Sequence, residues 1–192
     1  RSSRVPLQLV CVARLVEKKG LDHQLRVYAA LQAAGVPFEA RLVGGGPLLP
    51  ELEKLAGHLG IAASLTFTGH LPHHEVWSQL AWADVLLHTG VIAPSGDRDG
   101  LPNVIPEAMS VGVLVITSPV AATTEAVTQG VTGLVVPVES TEVWVSALRR
   151  LSTDDVFAEK LRRAARIWVE ENFNAHGNAE RVLALFKRSI GP

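Results

Sequence analysis

Apolar and polar positions change their period in a regular way along the chain. Short runs of aliphatic and β-branched residues alternate with longer segments whose apolar positions recur every three to four residues. LQLVCVA at 7–13 is a nearly continuous apolar stretch with polar flanks, the pattern of a strand covered on both faces. Leu21, Leu25, Tyr28 and Leu31 then share one helical face and predict a helix over 21–34. The same alternation predicts strands at 38–44, 64–69, 83–89, 113–118 and 132–138. Between and after them it predicts helices at 48–59, 73–82, 104–111, 140–151, 154–171 and 175–189. Leu48, Leu52, Leu55 and Leu59 mark the buried face of the second helix, and Pro72 suits entry to the third. Asn103 is placed to cap the fourth helix, where Pro106 falls in the first turn and has no hydrogen bond to lose.

Strand–helix alternation of this kind predicts an α/β fold, a doubly wound Rossmann-like parallel sheet of about six strands in one domain over 1–192. Sheets of this class bind ligands at the carboxyl ends of their strands. The loops at 13–20, 44–47, 69–72, 89–103 and 118–125 therefore carry the candidate chemistry. Composition sets limits on that chemistry. Hydrophobic residues make up 47% of 192 and charged residues 19%, enough for a sizeable core. The net charge of -1 gives no reason to expect nucleic acid as a partner. Cys11, the one cysteine, lies in an apolar run and reads as a buried, inert thiol in a reducing, cytoplasmic setting. No signal peptide is evident, and no apolar run approaches the roughly 20 residues a membrane helix needs. The chain opens on Arg1 rather than Met and enters a strand at once, which reads as a fragment of a longer chain.

Three signals stand in the predicted loops. Arg14 and Lys19, five positions apart and followed by Gly20, offer a planar fork and a point charge that suit phosphate oxygens. LVGGGP carries Gly44 and Gly45 directly after a strand, where a backbone can approach a ligand. It lacks the G-x-G-x-x-G spacing of a dinucleotide site and the G-K-[ST] of a P-loop, which disfavours a Rossmann dehydrogenase. The third signal is GDRDGLPNVIPEAMSVG. Asp99 lies in a loop before Gly100, and Glu107 lies on the helix that opens after Asn103, whose first turn aims N–H groups toward the crevice. Carboxylates are acceptor-only and suit the paired hydroxyls of a sugar. Taken singly, each signal also has a plain reading: solvated cations, a glycine turn, a loop acid and a helix acid.

Asp97-Arg98-Asp99 spells D-x-D, a metal motif in other architectures, but two acids fall short of what a hard divalent cation requires. His70, His73 and His74 lack the converging ligands of a zinc site. No metal site is expected. Trp77, Trp82, Trp144 and Trp168 sit in helical segments and are expected to be core or packing residues rather than stacking platforms.

Together, Arg14 with Lys19, VGGGP, D-x7-E followed by AMSVG, and VTGLVVPV at 131–138 resemble the C-terminal domain of GT-B glycosyltransferases. The resemblance runs in motifs from about Val10 to Val138. It is strongest to the large retaining branch often called family 4, and within it to bacterial transferases that build colanic-acid-type exopolysaccharides. It implies a hexosyltransferase acting from a nucleoside diphosphate sugar, a UDP-sugar ahead of a GDP-sugar, with no cofactor required. It implies that Arg14 and Lys19 hold the diphosphate and stabilise the leaving nucleotide. Asp99 would hold hydroxyls of the transferred sugar, and Glu107 those of the ribose; these four are the implied catalytic residues. Gly44, Gly45, Gly100, Leu101, Pro102 and Asn103 would approach the donor, with His70 and Leu71 bordering the base. An N-terminal acceptor lobe would be missing from this chain, leaving a lobe that binds donor without transferring it. That lobe would carry any peripheral association with the inner face of the membrane, and one surface here would show exposed apolar residues, with the last helix a candidate to cross over. Three departures from the family stand out: Asp99 where Glu is usual, Pro106 where an apolar non-proline residue is usual, and AATTE at 121–125 in place of a glycine-rich turn before its acid. Two alternatives share the fold, a nucleotide-sugar epimerase and a non-catalytic interaction module.

Overall fold

The structure, a computed structural model, describes residues 5–120 and 122–190. Six parallel strands form one sheet: β1 (Leu7–Val12), β2 (Phe38–Val43), β3 (Leu65–Gly69), β4 (Val85–His88), β5 (Leu114–Thr117) and β6 (Leu134–Val135). Their spatial order is β3-β2-β1-β4-β5-β6. The first three strands build outward from β1 in one direction and the last three in the other. The topological switch therefore falls between β1 and β4, where the loops leaving the two strands diverge and open a crevice.

The described residues also form eight α-helices: α1 (Leu21–Ala33), α2 (Leu49–His58), α3 (His73–Trp82), α4 (Val104–Ser110), α5 (Thr123–Ala126), α6 (Thr141–Thr153), α7 (Asp155–Asn172) and α8 (Ala175–Ile190). The strands sort their side chains with period two. Leu7, Leu9 and Cys11 join Val85, Leu87, Leu114 and Ile116 in a core against α1, α2 and α6. Val10, Leu86, Val113 and Val115 join a second core with Val76, Leu80, Ile105 and Met109 of α3 and α4. All four residues predicted for the inner face of α1 are buried, as is Leu52 of α2.

Several elements differ from the sequence pattern. β6 keeps only two residues of the predicted 132–138, and β4 is shorter than 83–89. A helical turn, α5, stands within the segment expected to be an open loop. Asn103 precedes α4 but does not cap it through its side chain: its backbone is already helical, and the Pro102 carbonyl accepts from the Ile105 amide at 3.0 Å. Pro106 is buried in the first turn of α4, as its missing N–H allows. Trp144 is fully buried, whereas Trp77 is 37% exposed and stands edge-on to the His73 ring. The sheet-facing side of α3 is taken by Val76 and Leu80, which leaves position 77 turned outward.

Candidate functional site

The crevice is assembled from the loops that leave β1, β2 and β4. After β1, the Ala13 amide donates to the Val43 carbonyl at 3.0 Å and the Leu15 amide to the Gly45 carbonyl at 2.9 Å, so the two exits run side by side. Gly44 has φ 136, and a Cβ there would lie 1.9 Å from the Ala13 carbonyl oxygen. A Cβ on Gly46 would lie 2.5 Å from the Leu15 oxygen. These glycines are what lets the loops close on each other. Leu15 is buried, and Arg14, pointing the other way, is exposed with no side-chain ion pair or hydrogen bond among the described residues. Arg14 lines a cavity of about 560 Å³ with Gly44, Gly45, Gly46, His70 and Leu71. Five predicted donor residues thus share one hollow.

Lys18 and Lys19 lie on a single 3-10 turn, Glu17–Lys19, closed by Gly20 in the left-handed region at φ 55. A Cβ on Gly20 would meet the Thr89 carbonyl oxygen at 2.2 Å, so the β1 and β4 exits are in direct backbone contact. The Val91 amide donates to the Lys18 carbonyl at 2.9 Å. The Thr89 hydroxyl lies 3.1 Å from both the Lys19 carbonyl and the Gln24 side-chain oxygen, and the Gln24 amide donates to the buried Tyr28 hydroxyl. A satisfied, buried polar chain of this kind fixes the backbone that carries Lys19.

The Lys19 ammonium reaches across the crevice to Asp99, with Nζ to Oδ2 at 2.6 Å. Lys18 pairs with Asp97 at 3.1 Å and lies 3.6 Å from Asp99 Oδ1. Asp99 also lies 3.4 Å from Nε2 of His88, whose Nδ1 is 3.1 Å from the Thr117 hydroxyl. His88 and Thr117 are register partners at the carboxyl ends of β4 and β5. Burial pushes the Asp99 carboxyl upward. The hydrogen bonds from His88 and Lys19 and their positive charge outweigh it and hold the group well below the usual carboxylate range. Cys11 behaves oppositely: burial pushes its thiol up to about 12, against smaller effects of the Lys19 charge and a Gln24 hydrogen bond, so it is a poor nucleophile.

Glu107 stands half-buried on α4 with no side-chain ion pair or hydrogen bond among the described residues. Leu101 and Pro102 are half-buried, and Gly100 and Asn103 are exposed, on the segment joining Asp99 to α4. The structure thus divides the predicted residues into two groups. Arg14, Gly44, Gly45, His70 and Leu71 surround the hollow beside β1 and β2, and Lys19 and Asp99 meet beside β4. The two acids of D-x-D are engaged by Lys18 and Lys19. Among the described residues no three His, Cys, Asp or Glu side chains converge as a metal site would require.

Two side chains in this cluster, Lys18 and His88, carry no signal in the motif pattern. His88 is the polar last residue of an otherwise apolar strand. A polar side chain at the carboxyl end of a buried strand is the sign that would have singled it out.

No described helix is long and apolar enough to cross a membrane. A family model described as glycosyl transferases group 1 matches residues 4–168. The chain is 32% identical over 184 residues to the colanic acid biosynthesis glycosyltransferase WcaL of Salmonella typhimurium, covering 95% of this chain and 45% of WcaL. It is 32% identical over 178 residues to the GDP-mannose-dependent alpha-(1-6)-phosphatidylinositol monomannoside mannosyltransferase of Mycolicibacterium smegmatis, covering 92% and 47%. The chain therefore spans about half the length of the curated relatives it matches. Among solved structures, HepE of Anabaena in complex with UDP has a TM-score of 0.80 at 22% identity, over 94% of this chain and 48% of HepE. That likeness shows the fold, a six-stranded parallel sheet with flanking helices of the GT-B type. On the match over residues 4–168 and the identity to these relatives, the chain belongs to the glycosyl transferases group 1 family.

Proposed function

We propose that this chain is the donor-binding lobe of a retaining, family 4 glycosyltransferase that moves a hexose from a nucleoside diphosphate sugar to a saccharide acceptor in polysaccharide assembly. The observation that carries the reading is the site at the sheet's switch point. A hollow is lined by Arg14, the glycine turn, His70 and Leu71, and Lys19, on the same loop after β1 as Arg14, pairs with Asp99. The hollow has the size of a small-molecule site. Arg14 and Lys19 supply two cations for a diphosphate, and Asp99 and Glu107 supply acceptors for sugar and ribose hydroxyls. Stabilising the departing nucleotide by fixed cations would lower the barrier without a metal. The relatives' names support both the class and the setting. WcaL is named for colanic acid biosynthesis, the Mycolicibacterium relative uses GDP-mannose, and HepE is described with UDP. A UDP-sugar is the first candidate for the donor.

The acceptor site and the remainder of the cleft belong to a second lobe in this reading, so this chain binds donor without transferring it. Exposed Val182, Leu183, Leu185 and Phe186 on α8 support such a contact, since apolar groups cluster where a partner surface covers them. Peripheral attachment to the inner face of the membrane would reside in that other lobe.

Calorimetric titration with UDP and GDP tests the reading. The expected result is binding between roughly micromolar and millimolar, about −4 to −8 kcal/mol, weakened by Lys19→Ala and by Glu107→Ala. A folded chain that binds neither nucleotide overturns it, as does sugar transfer by this chain alone for the claim of a missing lobe.

A further inference from the structure

Asp99 must serve two demands that conflict. In this structure its Oδ2 is engaged by Lys19 at 2.6 Å, yet Lys19 is also the cation proposed for the donor diphosphate. A diphosphate that draws Lys19 away removes the shortest contact holding the carboxylate. Asp99 lies on a long loop and would then be free to swing. A second donor stands on the same oxygen: His88 Nε2 at 3.4 Å from Oδ2. Unlike Lys19, His88 sits on the rigid sheet. Its side chain is 5% exposed, and its Nδ1 is held by Thr117 on the neighbouring strand. A carboxylate only accepts, so Nε2 must carry the proton toward it, while the Thr117 hydroxyl, 3.1 Å from Nδ1, holds the other side of the ring. Gly90 leaves the room the ring needs, because a Cβ there would lie 2.5 Å from the imidazole. Both short contacts fall on Oδ2, and among the described residues Oδ1 has only Lys18 at 3.6 Å, which leaves it to accept a hydroxyl of the donor sugar.

We infer that His88 is a positioning residue: from β4 it holds Asp99 Oδ2 in place while Lys19 turns to the diphosphate, so that Oδ1 is aimed at the transferred sugar. The inference rests on the donor-lobe reading and adds to it a residue that discriminates nucleotide sugar from bare nucleotide. His88 does not touch the diphosphate in this scheme, so its loss separates two affinities that a general loss of structure would lower together.

The experiment measures Kd for UDP with UDP-glucose and for GDP with GDP-mannose, on the wild-type chain, His88→Leu and His88→Gln, each checked by thermal unfolding. Leu fills the buried space but cannot donate, whereas Gln keeps a neutral donor near the place of Nε2. In His88→Leu the ratio of nucleotide-sugar Kd to nucleotide Kd is expected to rise roughly ten-fold, with the nucleotide Kd itself little changed. His88→Gln is expected to restore most of that ratio. An unchanged ratio in a folded His88→Leu overturns the inference, and so does an equal loss of both affinities, which marks a purely structural role. Should His88→Leu fail to fold, the ratio in His88→Gln stays near that of wild type if the inference holds and rises as for a lost donor if it does not. Nitrogen NMR of the ligand-free wild-type chain stands apart from nucleotide binding. A proton on Nε2 supports the hold on Asp99, and a bare Nε2 overturns it. A chain that binds no nucleotide but shows the Nε2 proton would sink the donor-lobe reading and leave the His88–Asp99 contact intact.

Discussion

The two sides of the crevice are built by different means. On the β1–β2 side the shape is set by backbone: Gly44 and Gly46 lie against the carbonyls of Ala13 and Leu15, and the only charged side chain in the hollow, Arg14, is exposed and unpaired among the described residues. On the β4–β5 side the shape is set by charge and hydrogen bonds: Lys18, Lys19 and His88 each place a nitrogen within 3.6 Å of the single carboxylate of Asp99. The contrast separates folding from binding. Residues that fix backbone shape cannot change without disturbing the fold, whereas exposed cations can change at the cost of ligand alone. The charged side lies between these extremes, because its ion pairs serve the ligand-free chain as well as any ligand.

The largest effect is expected on the backbone side. Gly44→Ala would drive a methyl group to 1.9 Å from the Ala13 oxygen at φ 136. It should cost about 3–4 kcal/mol in denaturant unfolding. Gly45→Ala in the same turn meets nothing nearer than 3.9 Å and should change stability by no more than about 0.5 kcal/mol. Equal effects at the two positions would break the claim that close packing, rather than the turn itself, requires glycine.

Asp99→Asn comes next. The Asp99 carboxyl is held below its ordinary range, so it contributes stability that is present above about pH 4 and is lost as pH falls through the lowered value of the folded chain. At neutral pH the variant should be less stable than wild type by about 1–2 kcal/mol, and the difference should shrink under acid. If Lys19 holds the donor diphosphate as proposed, UDP should bind the variant more tightly, because Asp99 no longer competes for that lysine. A gap that persists at low pH would show that the carboxylate's charge is not what the cluster stabilises.

The division between the two sides also marks what the sequence makes legible. Strands and helices announce themselves by period, because burial on two faces of a sheet demands it; all six strands and seven of the helices follow that pattern. Elements too short to carry a period do not. α5 is four residues, held by the Thr123 hydroxyl on the Ser118 and Val120 carbonyls, and the apolar run at 132–138, which does mark β6, is longer than the two positions over which that strand pairs. Asn103 has the residue type of a cap, but the chain enters α4 through an already helical backbone, which no composition rule reports. Within the site, Arg14, Lys19, Gly44 and Asp99 were legible because loops leaving parallel strands at a switch point gather there. His88 was not, since its role depends on the β4–β5 register and on a loop that folds back eleven residues later.

Arg14→Ala gives a smaller and purely functional effect. With its side chain exposed and unpaired among the described residues, its removal should leave stability within about 0.5 kcal/mol. Nucleotide affinity should still fall roughly ten-fold, about 1.4 kcal/mol, for the loss of one charge-assisted contact. Calorimetry and unfolding on the same preparation separate the two. A stability loss matching the affinity loss would mean that the hollow, like the charged side, depends on its charge to hold its shape.

The smallest effect is expected at Lys18, and it tests where the energy of the charged side resides. Lys18 carries the same charge as Lys19 and stands next to it, and it makes a 3.1 Å contact with Asp97. That partner's side chain is 60% exposed, so solvent and salt screen the pair. Its distance to Asp99, 3.6 Å, is a full ångström longer than that of Lys19. Lys18→Ala should therefore cost no more than about 0.5 kcal/mol, with the difference vanishing in high salt. Lys19→Ala should cost more and resist salt, because it leaves a largely buried carboxylate with only the longer contacts of His88 at 3.4 Å and Lys18 at 3.6 Å. Equal losses at the two lysines would mean that the charged side is a diffuse cationic field rather than the specific Lys19–Asp99–His88 contact, and the argument for a positioned sugar-binding carboxylate would lose its base.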